Sequence, residues 1–424
     1  FYYCVTMKMM NDAHKGNSKK GRKPKLLMNC LKGLVVVSFL VSSVAFVVME
    51  HILNENCLCD HSQQTLPASN SCEMNRSKTW TTKEEHPNYK KETMGTAESS
   101  IRAVVLHLLE TIPNNETQRE LSHATIHSLS DGKLTLVTQG GVSKLPRLLD
   151  LASRWRGPIS CGIYITTTQQ LDQWLAFMEK DHDGLISKYV SFHVLIEQPQ
   201  MPEKVNRHPI NKLRNLALRN VETEFIFLND IDFIPTMNAH DIIAPRLKTL
   251  PSKHFWVLPA FERFGTNSKQ RGPGQVVDDV SMIPKTKDAL LEAISKSEVA
   301  PFHVYFKPGH GPTNYTKWYD TISPYAVDYD YLYEPYVICR NEGVPSFFPS
   351  FRGFAFNKMS FFMEAHYLGF NFIILQDLFV VHMNHGGRKG RNDKGGNSHL
   401  IKQDFRMYLQ RIYGISNATL NKWK

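Results

Sequence analysis

The sequence predicts an α/β protein built on a mostly parallel, mixed sheet, and three observations carry that reading. From residue 133 onward, short β-type runs alternate with segments of helical spacing. One run, Phe225–Leu228, is continuously apolar, as expected of a strand buried on both faces. Directly after it come two aspartates, at the strand end where open α/β sheets place their ligands.

Taken in order, residues 133–138 read as the first strand, Leu145–Trp155 as a helix and Ile159–Ile165 as the next strand. A helix follows over 169–180, then a strand over 189–196. Residues 209–221 carry helical spacing through Ile210, Leu213, Leu216 and Ala217. Later, 358–368 reads as a helix burying Phe361, Phe362, Ala365 and Leu368. The apolar runs at 372–375 and 379–382 break abruptly into His382-Met-Asn-His385.

The 424 residues are enough to bury a large core, and 42% hydrophobic with 21% charged content is that of a folded chain. The net charge of +10 suggests nucleic acid until its distribution is examined. Residues 1–32 hold eight Lys and Arg against Asp12, so the remainder is only slightly basic, and no nucleic-acid partner is expected. Residues 33–49 then run without a charge. At 1.5 Å per residue that is about 25 Å, enough to cross a bilayer with Lys32 snorkelling. Basic charge on the N-terminal side predicts a single-pass, type II protein with a lumenal body. The expected division is a basic cytosolic tail (1–32), a transmembrane signal anchor (33–49), a polar lumenal stem (50–132) and a folded body (133–424). Cys57, Cys59 and Cys72 suit stem disulfides in an oxidising lumen. Four N-x-S/T sequons, at Asn75, Asn115, Asn314 and Asn417, agree with that side of the membrane.

In Asn229-Asp230-Ile231-Asp232, alternate residues of an extended segment share a side, so the two carboxylates converge while Ile231 faces away. Like charges that close call for a cation, and hard oxygen ligands suit Mn²⁺ or Mg²⁺. Such an ion holds a diphosphate and neutralises a leaving group. His382, a neutral imidazole at a strand end, could complete the set.

These residues sit among longer blocks. Trp155-Arg-Gly-Pro-Ile-Ser160, Leu213-Arg-Asn215, Phe227-Leu-Asn-Asp-Ile-Asp-Phe-Ile-Pro235, Val257-Leu-Pro-Ala-Phe-Glu262, Gly309-His-Gly-Pro-Thr-Asn-Tyr315, Tyr333-Glu-Pro-Tyr336 and Gly353-Phe-Ala-Phe-Asn-Lys358 occur in the order seen in the family-49 glycosyltransferases. The chain resembles that family over about residues 133–415. The resemblance implies a GT-A type fold, a Golgi membrane protein, Mn²⁺, and an inverting transfer from a UDP-sugar to a glycan or glycoprotein acceptor. Glucuronic acid is the first donor it suggests, in O-mannosyl glycan or matriglycan-type synthesis; another hexosyltransferase on the same scaffold is the alternative. It assigns Asp230, Asp232 and His382 to the metal, and Arg214, Asn215, Glu262, His310 and Glu334 to the donor and acceptor cleft. Arg263 and Arg352 are the candidates for a sugar carboxylate. Whether the chain forms a homodimer or joins another glycosyltransferase stays open.

One block departs from the pattern. Where the family carries acidic residues before its Gly-x-Gly-x-Asn segment, this chain has Phe347-Phe-Pro-Ser-Phe351, and the second glycine is Ala355. An inverting transfer needs a general base. Glu364 is the nearest replacement by sequence, and a glycan-binding protein with weak or no turnover is the rival reading.

Overall fold

The structure, a computed structural model, describes residues 118–123, 133–180, 182–197, 208–263, 279–384 and 394–421. The basic tail, the 33–49 segment, Cys57, Cys59, Cys72, Asn75, Asn115 and His385 lie outside those residues. No helix among the described residues is long and apolar enough to cross a membrane.

A nine-stranded sheet runs in the order β1-β4-β3-β2-β5-β11-β7-β12-β10. Its first half is β1 (Gln118–His123), β4 (Val190–Glu197), β3 (Ile159–Ile165), β2 (Leu134–Gly141) and β5 (Phe225–Leu228). From β4 to β5 every pairing is parallel. Helical crossovers make this possible, since parallel neighbours cannot be joined by a tight turn. They are α1 (Leu145–Trp155), α2 (Thr168–Glu179) and α3 (Ile210–Arg219). In α1, Leu145, Leu148, Leu151, Ala152 and Trp155 are buried along one stripe, each large apolar side chain contributing about 1.5–3 kcal/mol. The helix ends where Arg156 turns left-handed and donates its N–H to the Ala152 carbonyl. Thr167 caps α2 by accepting the Gln170 N–H. Strand β1, within the stretch read as stem, pairs antiparallel with β4 and carries the sheet upstream of residue 133.

The other half corrects the expectation of a mostly parallel sheet. Strand β11 (Tyr336–Arg340) runs antiparallel to both β5 and β7 (His254–Leu258). Strand β12 (Asn371–Ile374) is parallel to β7 and antiparallel to β10 (Tyr325–Val327). A second, four-stranded sheet, β6-β13-β8-β9, is also present. It comprises β6 (Phe233–Pro235), β13 (Val380–His382), β8 (Ala260–Arg263) and β9 (Val299–Pro301). Strands of three or four residues are too short to show a period, so of this sheet only the apolar run at 379–382 was visible in the sequence.

Two close approaches fix the first half. A Cβ on Gly162 of β3 would stand 2.5 Å from the Leu213 carbonyl oxygen, so α3 lies directly on that strand. On Gly140 it would stand 3.1 Å from Ile231, the residue between the two aspartates. Cys161 in β3 and Cys339 in β11 are buried free thiols, and burial pushes both up in pKa. After β11, the chain passes through helix α4 (Asn357–Tyr367), and helix α5 (Asp404–Tyr413) follows near the C-terminus.

Candidate functional site

The acidic turn links the two sheets. Beyond β5, the Asn229 side chain donates to the carbonyls of Asp230 (2.9 Å) and Phe233 (2.7 Å), closing the turn into β6. Ile231 is buried. Both aspartates keep partial exposure, but they lie in a turn closed by the Phe233 N–H on the Asp230 carbonyl at 3.0 Å, which corrects the expected extended alternation. The Asp232 carbonyl accepts the Met383 N–H at 2.8 Å, aligning β13 beside β6. In that register His382 lies opposite Phe233, and its Nε2 stands 3.9 Å from Asp232 Oδ2. The parallel pairing of β13 with β8 sets Glu262 on the other side of His382.

Cationic groups meet these carboxylates from three directions. Arg214 on α3 donates to Asp230 Oδ1 at 2.7 Å. Asp230 Oδ2 accepts from the Tyr336 hydroxyl at 3.1 Å and from Lys358 Nζ at 3.2 Å. Lys144, just after β2, reaches Asp232 Oδ2 at 3.1 Å. Burial alone would raise the Asp230 pKa, but Lys358 and Arg214 outweigh it and the opposing charge of Asp232, and the carboxyl is held well below its usual range. The turn is therefore an anionic centre inside a basic ring. Of these cations, Lys358 stood in a recognisable sequence block, whereas Lys144, 88 residues from its partner, carried no local signal.

The remaining expected residues divide. Arg214 joins the centre and also reaches the side-chain oxygens of Asn211 and Asn357, tying α3 to the start of α4. His310 is buried, its ring stacked 6.1 Å from that of Tyr336. Burial, with Lys358 and His303 adding to it, holds His310 well below the usual imidazole range, so it is neutral. Glu262 is raised by burial but takes the backbone N–H groups of His303 (2.9 Å) and Val304, which lower it again. Its bonds position the loop after β9. Glu334 lies in the same basin, where its electrostatic neighbours are Lys358, Asp230 and Arg214.

Asn215 points elsewhere. Its amide brackets the Phe347 backbone, donating to the carbonyl (2.7 Å) and accepting the N–H (2.8 Å). Arg352 is engaged by Glu197 through two bonds of 2.6 and 3.1 Å. Arg263 is buried in β8, and its carbonyl accepts from Asn384. Glu364 is the clearest correction: it is 1% exposed, and Oε1 accepts the hydroxyls of Tyr408 (2.8 Å) and Tyr413 (2.6 Å) on α5. Its helix is buried nearly all round at that point, so a residue at the edge of the apolar stripe still lies inside. The acid-free block is core as well: Phe347 and Phe351 are buried, with Phe347 stacked on Phe361 at 4.3 Å.

No group of three or more His, Cys, Asp or Glu among the described residues is arrayed around one point as a formed metal cage. The donor chemistry nevertheless fits a divalent cation. Two carboxylates and an imidazole meet at the turn, and the Asp232–His382 separation is one that a single ion with bonds of about 2.1 Å can bridge.

The sequence model of a family described as "Glycosyl-transferase for dystroglycan" matches residues 133–209 and 203–414. "Glycosyltransferase-like protein gnt14" of Dictyostelium discoideum is 30% identical over 64% of this chain and 40% of its own length. "Xylosyl- and glucuronyltransferase LARGE2s" of Danio rerio is 31% identical over 66% of this chain and 36% of its own. The chain thus spans well under half the length of these curated relatives. Among solved structures, GalNAc-T7 with UDP, GalNAc and Mn²⁺ is similar at a TM-score of 0.36 and 10% identity, over 65% of this chain and 49% of that one. That likeness is loose, and the kinship rests on sequence.

Proposed function

The chain belongs to the family of glycosyl-transferases for dystroglycan, and we propose that it transfers a sugar from a UDP-sugar to a glycan hydroxyl with inversion. The observation that carries this reading is the junction of the two sheets, which sets His382 against Asp232 while Asp230 shares the turn. Asp230, Asp232 and His382 would hold Mn²⁺, or Mg²⁺, which when bound ties down the diphosphate and neutralises the charge it gains on leaving. Lys144, Lys358 and Arg214 ring the same point. Fixed cations there draw in an anionic nucleotide and stabilise a departing one without reorganisation.

Glucuronic acid is the proposed donor sugar, in keeping with the glucuronyltransferase named among the relatives; an N-acetylglucosaminyl or other hexosyl donor is the alternative. The family description favours an O-mannosyl-type glycan of a glycoprotein as acceptor. A type II Golgi anchor at 33–49 belongs to the same reading. Asn314 and Asn417 are both exposed, as lumenal sequons need to be. Asn314 caps the helix after it through Oδ1, which leaves its amide nitrogen for a glycan.

The test is a screen of UDP-sugars with the full chain, following UDP release in Mn²⁺ and in EDTA. Release with at least one donor, abolished by EDTA, is the expected result. No release from any donor, with glycan binding retained, would overturn the enzyme reading. It would establish the second one, a glycan-binding protein, which the absence of an acid from 347–351, where Phe347 and Phe351 are core, favours.

A further inference from the structure

The buried acids around the cleft differ in what occupies their oxygens. Asp230 is met by three donors, Glu262 by two backbone N–H groups and Glu364 by two tyrosine hydroxyls. The Glu334 carboxylate makes no hydrogen bond or ion pair with any described residue, although its side chain is only partly exposed. A partly exposed carboxylate that no protein group pairs is left open to a ligand, and the acceptor hydroxyl is the ligand group such an acid can take.

The backbone holds Glu334 firmly. Its N–H donates to the Gly309 carbonyl at 3.0 Å, and two residues on, the Tyr336 hydroxyl touches Asp230. Gly309 lies directly beside the carboxylate, since a Cβ there would stand 3.5 Å from Glu334 Oε1. We propose that Glu334 is the general base of the transfer, a role that rests on the transferase reading above. The acceptor hydroxyl oxygen bonds to the donor C1 while the bond from C1 to the β-phosphate oxygen breaks. The electron pair of that bond leaves with UDP, and the hydroxyl proton passes to Glu334.

The electrostatics agree with the placement. Burial pushes Glu334 up to about 7, with Lys358 and Arg214 opposing and Asp230 assisting. A base works best with its pKa near the working pH. The titratable and charged groups around it are Lys358 from α4, Asp230 from the acidic turn, Arg214 from α3 and the Tyr336 hydroxyl from β11.

The experiment uses the full chain in Mn²⁺ with a donor that supports turnover. Glu334→Gln is expected to lower kcat by about 10²–10⁴-fold. Its affinity for UDP, read by calorimetry, should stay within about threefold, and the acid limb of the kcat–pH profile, centred near 7 in the unaltered chain, should vanish. If the glutamine variant does not fold, Glu334→Asp, which withdraws the carboxylate by one methylene, should show the same loss of kcat at unchanged UDP affinity. A kcat within about threefold of the unaltered chain would overturn the assignment alone. So would a parallel loss of UDP affinity, which would make Glu334 a donor contact. An unaltered chain that releases no UDP would overturn the transferase reading and this assignment with it.

Discussion

The two halves of the large sheet are made differently and give the molecule different things. From β4 to β5, parallel strands are spaced by helices, and the packing is close enough that Gly162 admits no side chain. Beyond β5, strands of mixed direction and the small second sheet bring His382, Glu262, Tyr336 and Glu334 to the end of the first half. The first half carries the acidic turn on a rigid edge, and the second surrounds it with chemistry. Damage to the strands and helices of the first half should therefore appear as instability, and damage to the acidic turn or to the groups the second half sets around it as lost turnover in a folded protein.

The sharpest test of that division is Asp232→Asn. It removes a proposed metal donor with little change of shape, and turnover should fall by about 10³-fold or more, the equivalent of several kcal/mol. Thermal unfolding should shift little; unchanged activity would dismiss the metal site. Gly162→Val should act in the opposite way. Its added atoms meet the Leu213 carbonyl, and a loss of about 3 kcal/mol is expected in denaturant unfolding. Glu364→Ala breaks the rule by location, because Glu364 lies on α4, beside the second half, yet serves packing. Leaving two half-buried tyrosine hydroxyls without their acceptor, and a gap where the buried Glu364 side chain stood, should cost about 2–3 kcal/mol, with kcat per folded molecule kept within about threefold. Were kcat to collapse while stability held, the division would be wrong for α4. Asn215→Ala should be milder, about 1–2 kcal/mol of stability through the Phe347 segment, with UDP affinity unchanged by calorimetry.

The smallest effect is a pH dependence. His208 donates its Nε2–H to Gln139 Oε1 at 2.7 Å, and burial, with Arg214 and Arg352 nearby, lowers its pKa from 6.5 to about 4. Between those values the unfolded chain binds the extra proton, so this contribution is fully present above about pH 6.5 and is lost as pH falls toward 4. Replacing His208 by Gln should flatten unfolding free energy against pH in that window; an unchanged slope would assign it to other groups.

The first half was legible because its signals are local. Leu145–Trp155, Ile159–Ile165 and Phe225–Leu228 have the bounds their apolar patterns imply. The carboxylate pair was legible because both aspartates fall within four residues directly after a buried strand, although a turn and not extended alternation sets their geometry. The other half depends on distant partners. Three-residue β6 is held by pairing with β13, which itself lies between β6 and β8, and the ammonium of Lys144 comes from a turn that nothing nearby marks. Glu364 was misplaced because a helical stripe reports which face is apolar. It does not reveal that two tyrosines 44 and 49 residues later cover the polar edge.

The two buried thiols offer a way to time the separation of these halves. Cys161 lies in β3 and Cys339 in β11, with β2 and β5 between them, three strand spacings or about 14 Å apart. No disulfide spans that distance, so each thiol stays an independent clock. With the other cysteines replaced by serine, a thiol reagent would label each position only when its own strand opens. Equal labelling rates would mean that the sheet comes apart as one body. A faster Cys339 would show that the half bearing the chemistry loosens while its scaffold still stands.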